Sequence, residues 1–299
     1  MRLFPFAFRA MAASHELLLG CDDEARARRA AGAALADVER IEAKYSRFRD
    51  TSLVSAINRA AGAEAVAIDA ETAALLRYAD ACHAASRGRF DITSGALRRA
   101  WDFRRTPPRV PGAREIDALR ALVDWRSVAW DERSIRLPRR GMEIDLGGVG
   151  KEYAADRVAT IAIDLGIAHG FVNLAGDVRA WGGHPGGAPW RVGIRDPRID
   201  GASIGGIEVV DGAVATSGDY ERAFIVDGRR YCHILDASTG WPAEGWQSMS
   251  VVAPLCVVAG SGATVGMLLG DDAPAWLDAQ GFEWLGVDAS GALRRGGQR

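Results

Sequence analysis

From residue 170 onward the chain runs through a succession of short β-rich segments with one long helical stretch among them. The segments fall at 170–174, 178–182, 190–195, 206–210, 222–226, 230–235, 248–253 and 282–287. Strands that follow one another, instead of alternating with helices, argue against a βαβ sheet and for an α+β fold. The Asp227-Gly228 step between two of the segments is a hairpin signal, because both residues accept the positive φ of a tight two-residue turn.

Helical spacing occupies much of the remainder. A first strand is expected over 8–20, ending at Gly20. Asp22 and Asp23 are placed to cap a helix running to about Tyr45, with Ala34, Leu35, Val38 and Ile41 on one face. A second helix is expected over 70–86, stopped by Gly88, and a third from Lys151 to Gly166, carrying Ala154, Val158, Ile161 and Leu165. A fourth is expected at 255–269. The stretches 102–113 and 182–189 are loops by composition. Neither marks a linker and no repeat is visible, so residues 1–299 are expected to form one unit.

The composition excludes several functions. With 299 residues, 48% of them hydrophobic and 25% charged, the chain can bury a substantial core. A net charge of −2 gives no field to recruit nucleic acid or an anionic membrane surface. No apolar run reaches the roughly 18 residues of a membrane span, and the first residues lack the pattern of a secretory signal or lipid-anchor Cys. The four cysteines (Cys21, Cys82, Cys232, Cys256) form no close pair, which fits reduced thiols and a cytoplasmic protein. No Cys/His cluster has zinc-ligand spacing.

One stretch carries chemistry on its face. Residues 144–159 read IDLGGVGKEYAADRVA: a strand end, a glycine pair, a lysine, then a helix start. Lys151 is one of two lysines in the chain, the other being Lys44. The spacing fails the P-loop, which needs Gly where Asp145 stands and Ser or Thr where Glu152 stands, and it fails G-x-G-x-x-G. Two readings stay open for the turn alone. Glycines at a helix start let backbone amides grip an anion, with Lys151 adding a point charge; or they merely make room for a strand-to-helix connection.

Other segments bear on that choice. YSRFRDTSLVSAINRAAG (45–62), FDITSGALRRAW (90–101), DLGGVGKEYAADRV (145–158), FVNLAGDVRAWG (171–182) and AVATSGDYERAF with HILDASTGWP (213–242) occur in this order. Together they resemble the motifs of the FAD:protein FMN transferases, the ApbE-like family: S-x-[YF]-R…S-x-[LI]-S-x-[LI]-N, FDIT-x-GPL-x-x-x-W, DLGG-I-AKGYA-x-D, N-x-GGD-I-x-x-x-G and ATSGDYER…HI-x-DP-x-TG-x-P. The match runs from about residue 8 to about 270.

The resemblance implies a mixed, T-fold-related α+β architecture of antiparallel sheets and packed helices. It implies FAD as substrate, Mg²⁺ at the FAD diphosphate, and transfer of FMN to a Ser or Thr hydroxyl of an acceptor flavoprotein with release of AMP. Carried over by position, Met11, Phe48, Arg89, Phe90, Asp91, Asp145, Lys151 and His233 match FAD contacts, His233 being the family histidine close to the isoalloxazine and the reacting phosphate, and His233 and Lys151 are the catalytic candidates. Read singly, Met11, Phe48 and Phe90 are ordinary core residues, His233 a strand histidine and Asp145 a turn cap. The metal-site candidates are Gly148, Ala263 and Thr264.

The pattern breaks at the last motif. Where the family reads A-D-A-L-x-T-A-L, with Asp and Thr as magnesium ligands, this chain reads AGSGATVG, so Thr264 is kept and Gly260 stands at the Asp. Magnesium is ordinarily held by one or two carboxylates plus phosphates, so metal binding is expected to be weak unless Asp236, Asp219 or the FAD phosphates supply the charge. Two alternatives to an active transferase follow: an FAD-binding relative that has lost transfer, in which Gly260→Asp would switch turnover on, and an FAD pyrophosphatase in which water replaces the acceptor.

Overall fold

Long amphipathic strands and alanine-rich helices make up residues 1–297, which the computed structural model describes. In chain order the strands are β1 (Arg2–Ala10), β2 (Ala13–Cys21), β3 (Val66–Ala67), β4 (Ala129–Trp130), β5 (Ser134–Arg136), β6 (His169–Leu174), β7 (Asp177–Trp181), β8 (Trp190–Arg195), β9 (Ser203–Val209), β10 (Gly212–Gly218), β11 (Ala223–Val226), β12 (Arg229–Cys232), β13 (Trp246–Ala253), β14 (Glu283–Asp288) and β15 (Leu293–Gly296). The helices are α1 (Glu24–Tyr45), α2 (Leu53–Arg59), α3 (Ala70–Ala85), α4 (Ala113–Arg120), α5 (Gly150–Asp164), α6 (Cys256–Leu269) and α7 (Ala273–Ala279).

The main sheet has the order β1-β2-β6-β7-β10-β13-β14-β15. Every pairing in it is antiparallel. Alternation along each strand feeds two cores. Leu17, Leu19, Ala213, Ala215, Met249 and Val251 point to the large core. Their neighbours Leu18, Val214 and Val252 point to a smaller one, closed by Trp190, Ile194, Ile207 and Val209 of the β8–β9 hairpin. The middle strands are therefore covered on both faces, whereas the edge strands β1 and β15 are largely exposed.

Helices α1, α5 and α6 lie on the large core, and small residues set how closely they approach. Ala27, Ala31, Ala34, Val38 and Ile41 form the buried stripe of α1. Across from it, α5 offers Ala154, Ala155, Val158 and Ala162. In α6, a Cβ on Gly266 would sit 3.0 Å from Met249, and one on Gly262 would sit 3.3 Å from Val251. Asp156 of α5 then locks the two helices together. Its carboxylate accepts the N–H groups of Cys256 and Val257 at 2.7 and 2.9 Å, capping α6, which has no side-chain cap of its own.

A third core centres on Trp101, with Leu97, Ile116 and Tyr231. Its indole N–H donates to the Gly240 carbonyl at 2.8 Å, and the rings of Tyr231 and Trp241 lie 5.6 and 5.4 Å away. This cluster fastens the 3-10 turn Gly95–Arg99 to the β11–β12 hairpin.

Helices α1, α3, α5 and α6 fall where the sequence places them, with Asp23 and Asp69 as the caps of α1 and α3. The β11–β12 turn is at Asp227-Gly228, with φ of 50° and 77°. The expected single strand over 8–20 is instead the β1–β2 hairpin. Its turn is made by Met11 and Ala12, both at positive φ without a glycine, Asn or Asp to announce it. The Met11 N–H donates to Glu42 of α1 at 2.9 Å, a tertiary contact that holds this conformation. The expected strand at 230–235 stops at Cys232. Short α2, α4 and α7, the small β3-β5-β4 sheet, and strands β10 and β15 were not expected; most are too brief to show a period.

Candidate active site

The site is built on the turn between Ile144 and α5. Asp145 anchors it: its N–H donates to the Ile92 carbonyl at 2.8 Å, and its Oδ1 accepts the Gly147 N–H at 2.8 Å. Gly148 runs so close to Phe90 that a Cβ there would lie 3.2 Å from the ring. Backbone N–H groups of Val149 and Gly150 both reach Leu146, and that of Tyr153 reaches Val149, so none of these bonds uses the Gly148 carbonyl. No side chain caps α5. The Gly150 and Tyr153 amides are thus taken by the turn, which leaves those of Lys151 and Glu152, with the positive end of the helix dipole, to favour an anion placed there.

Two buried carboxylates meet one ammonium at this helix start. Lys151 is ion-paired with Asp177 of β7, which is 3% exposed and also accepts the Thr216 N–H at 3.3 Å. Burial alone would lower the Lys151 pKa, but Asp177 and Glu152 outweigh it and hold the ammonium charged, well above its ordinary value. Glu152 is buried, and its Oε2 has no hydrogen-bond partner. Burial first, then the Asp177 charge, raises its carboxyl far above the usual range.

A cluster of arginines stands across the turn. Asp145 Oδ2 lies 2.8 Å from Arg98 and 3.3 Å from Arg47, ion-paired but without an aligned hydrogen bond. Arg47 and Arg104 place their guanidinium groups 4.3 and 5.6 Å from the centre of the Phe48 ring, which is 65% exposed. His233, just past β12, donates its backbone N–H to the Arg222 carbonyl at 3.0 Å, while its ring Nδ1 has no partner. Burial, then the charges of Arg222 and Arg98, push the imidazole down to about 3, and Lys151 adds to the effect. Residues 145–151 and His233 thus share one electrostatic neighbourhood, and the imidazole is neutral throughout the physiological range.

The other expected contacts are in different states. Met11 sits in the β1–β2 turn. Arg89 donates to the Leu268 carbonyl at 2.7 Å and lies 3.6 Å from Asp236. Phe90 is buried against Gly148. The Asp91 carboxylate is engaged by its own chain, accepting the N–H groups of Thr93 and Trp125 at 2.7 and 3.1 Å and facing His83 at 3.6 Å. Two shallow surface clefts, one lined by Pro189, Glu208 and Val210, the other by Ile163, Ala168 and Trp181, contain none of these residues.

Among the metal-site candidates, Gly148 lies in the turn and Thr264 on α6, its hydroxyl 2.9 Å from that of Ser217. Ala263 is buried and has no side-chain donor. Asp236 accepts hydrogen bonds from Ser238 at 2.8 and 2.6 Å, and Asp219 is paired with Arg198 at 2.7 Å. Among the described residues no three His, Cys, Asp or Glu side chains gather as a metal cluster. What fills the space at Gly260 is Glu152: a Cβ there would lie 2.5 Å from Glu152 Cγ and 3.1 Å from its Oε1.

Sequence reading passed over Glu152, Asp177, Arg222, Arg98 and Arg47. The first three had a signal: Glu152 stands at the glycine of AKGYA, Asp177 is the acid of NLAGD, and Arg222 closes GDYER. Arg98 and Arg47 lie at variable positions of their motifs and had none.

A model of the ApbE family matches residues 11–285. The FAD:protein FMN transferase of Vibrio cholerae serotype O1 is 30% identical over 239 residues, covering 79% of this chain and 72% of the relative. That of Treponema pallidum is 32% identical over 265 residues, covering 83% and 72%. Among solved structures, the ApbE protein of Thermotoga maritima superposes with a TM-score of 0.90 at 36% identity, covering 98% of this chain and 97% of that one. The apo flavinyl transferase ApbE of Pseudomonas stutzeri gives 0.87 at 26%, covering 98% and 94%.

Proposed function

The chain belongs to the ApbE family, and from that premise we propose that it is an FAD:protein FMN transferase, one domain over residues 1–299. It moves the FMN half of FAD onto a Ser or Thr hydroxyl of an acceptor flavoprotein and releases AMP. The observation that carries this reading is the charged Lys151 at the uncapped start of α5, in the same field as a neutral His233.

The residues divide the work as phosphoryl transfer requires. The acceptor oxygen bonds to the FMN phosphorus, the bridging P–O bond breaks, and AMP leaves with the electron pair. Lys151 and the first-turn amides of α5 hold the diphosphate and stabilise the charge that builds on its oxygens. Arg98 and Arg222 keep His233 uncharged in the free protein; the arriving diphosphate offsets those positive charges and raises the basicity of the imidazole. Its unpartnered Nδ1 is then able to take the hydroxyl proton. Phe48, exposed between Arg47 and Arg104, gives an aromatic face for a ring of the dinucleotide.

The donor set suits a hard divalent cation such as Mg²⁺: the Gly148 carbonyl, the Thr264 hydroxyl and an orphaned, buried carboxylate oxygen on Glu152. When bound, the ion neutralises phosphate charge. No helix among the described residues is long and apolar enough to cross a membrane. Four buried free thiols fit a reducing compartment, and we place the reaction in the cytoplasm.

Protein, FAD and Mg²⁺ incubated with a peptide bearing a Ser/Thr flavinylation site should yield AMP and covalently yellow peptide in equal amounts. AMP should stay at background without peptide. Free FMN with AMP in the absence of acceptor would make the protein a pyrophosphatase, and bound FAD with no AMP would make it a carrier.

A further inference from the structure

We propose that Glu152 is the anionic ligand of the divalent cation in this chain, supplied from α5 in place of the aspartate that the family motif carries on α6 at position 260. The inference rests on the flavin-transferase reading of the site. It changes which helix provides the charge.

Three observations converge on it. The first is steric. A Cβ built on Gly260 would lie 2.5 Å from Glu152 Cγ, 3.1 Å from Cδ and 3.1 Å from Oε1. The Glu152 side chain thus occupies the volume an aspartate at 260 would need. The two positions are coupled: a side chain at 260 collides with Glu152 as it lies here, and a glutamate so placed needs a glycine at 260. The second is placement. Gly260 and Thr264 are four residues apart on α6 and share a face, so a carboxylate lying on Gly260 is one helical turn from the Thr264 hydroxyl. Glu152 is also only four residues beyond Gly148. Glu152 thus stands in sequence and space between the elements that carry the two uncharged donors.

The third is charge. Glu152 is 7% exposed and its Oε2 has no partner, while the nearby ammonium of Lys151 is taken by Asp177. A buried carboxylate oxygen without a donor is costly in a finished structure. A cation at the open oxygen would supply the partner that it lacks. An acid kept for packing alone would have both oxygens satisfied or would be apolar.

The test is a swap, read by Mn²⁺ binding with electron paramagnetic resonance and by an FAD titration in metal-free buffer. Glu152→Gln, nearly isosteric, should lower Mn²⁺ affinity by at least ~10–100-fold, the loss typical of even indirect metal-site partners, with FAD binding unchanged. Glu152→Gly should lose the metal similarly. Adding Gly260→Asp to Glu152→Gly should restore affinity to within a few-fold of the parent. Gly260→Asp alone should melt earlier than the parent, since the new side chain collides with Glu152 and sets two acids together. Unchanged Mn²⁺ affinity in Glu152→Gln, no binding by the parent, or a double variant no better than Glu152→Gly would each overturn the assignment. If FAD binds and the peptide is flavinylated while Mn²⁺ ignores Glu152, the ligand assignment fails and the transferase stands. If Mn²⁺ depends on Glu152 while FAD never binds, the reverse holds.

Discussion

Lys151→Met should unfold at a lower denaturant concentration than the parent, with about 2–3 kcal/mol of stability lost, below the usual range for breaking a buried ion pair because the Lys151 side chain is 29% exposed. Asp177 is 3% exposed and has Lys151 as its ion-pair partner. Removing the ammonium leaves that carboxylate uncompensated beside a second buried acid, Glu152. A second substitution, Asp177→Asn, should recover much of the loss, because it removes the orphaned charge. Neither variant should transfer FMN, since both lack the cation that faces the diphosphate. Urea unfolding of the three proteins decides the matter: equal midpoints for the parent and Lys151→Met would mean that the pair holds nothing together.

Trp101→Ala should cost about 3–5 kcal/mol, the range for truncating a large buried aromatic, and should weaken the site at a distance. Trp101 is 2% exposed and touches neither Asp145 nor His233 by any recorded bond. It nevertheless fastens the turn that carries Arg98 to β12, whose Tyr231 lies two residues before His233. Trp101→Phe keeps most of the ring contact, gives up the hydrogen bond to Gly240, and should cost less, about 1–3 kcal/mol. Denaturant midpoints and FAD affinity should fall together along the series Trp, Phe, Ala. Stability that falls with FAD affinity unchanged would separate this cluster from the site.

The parts of the fold legible in sequence are those whose own residues decide them. Asp23 caps the helix it precedes, and Asp227-Gly228 turns the hairpin it sits in. The Met11-Ala12 turn was not legible, because a distant carboxylate on α1 holds it and no residue in FRAMAAS favours positive φ. The candidate site divides the same way. The glycine turn and Lys151 announce themselves by local pattern, whereas Asp145 reads locally only as a turn cap and enters through the family resemblance. Glu152 does not: its meaning appears only when α5 and α6 are seen to pack so that one acid covers the other helix's glycine. Gly260 therefore read as a loss. On the exchange proposed above, Gly260→Asp would crowd an acid already in place instead of restoring turnover.

The account stands on a dinucleotide diphosphate lying at the start of α5. Diffraction from crystals grown with FAD tests that most directly. Density for the diphosphate should fall within hydrogen-bonding distance of the Lys151 ammonium and the first-turn amides of α5, with the isoalloxazine ring beside His233. FAD bound in solution but found elsewhere on the molecule, with the α5 start left to water, would contradict it.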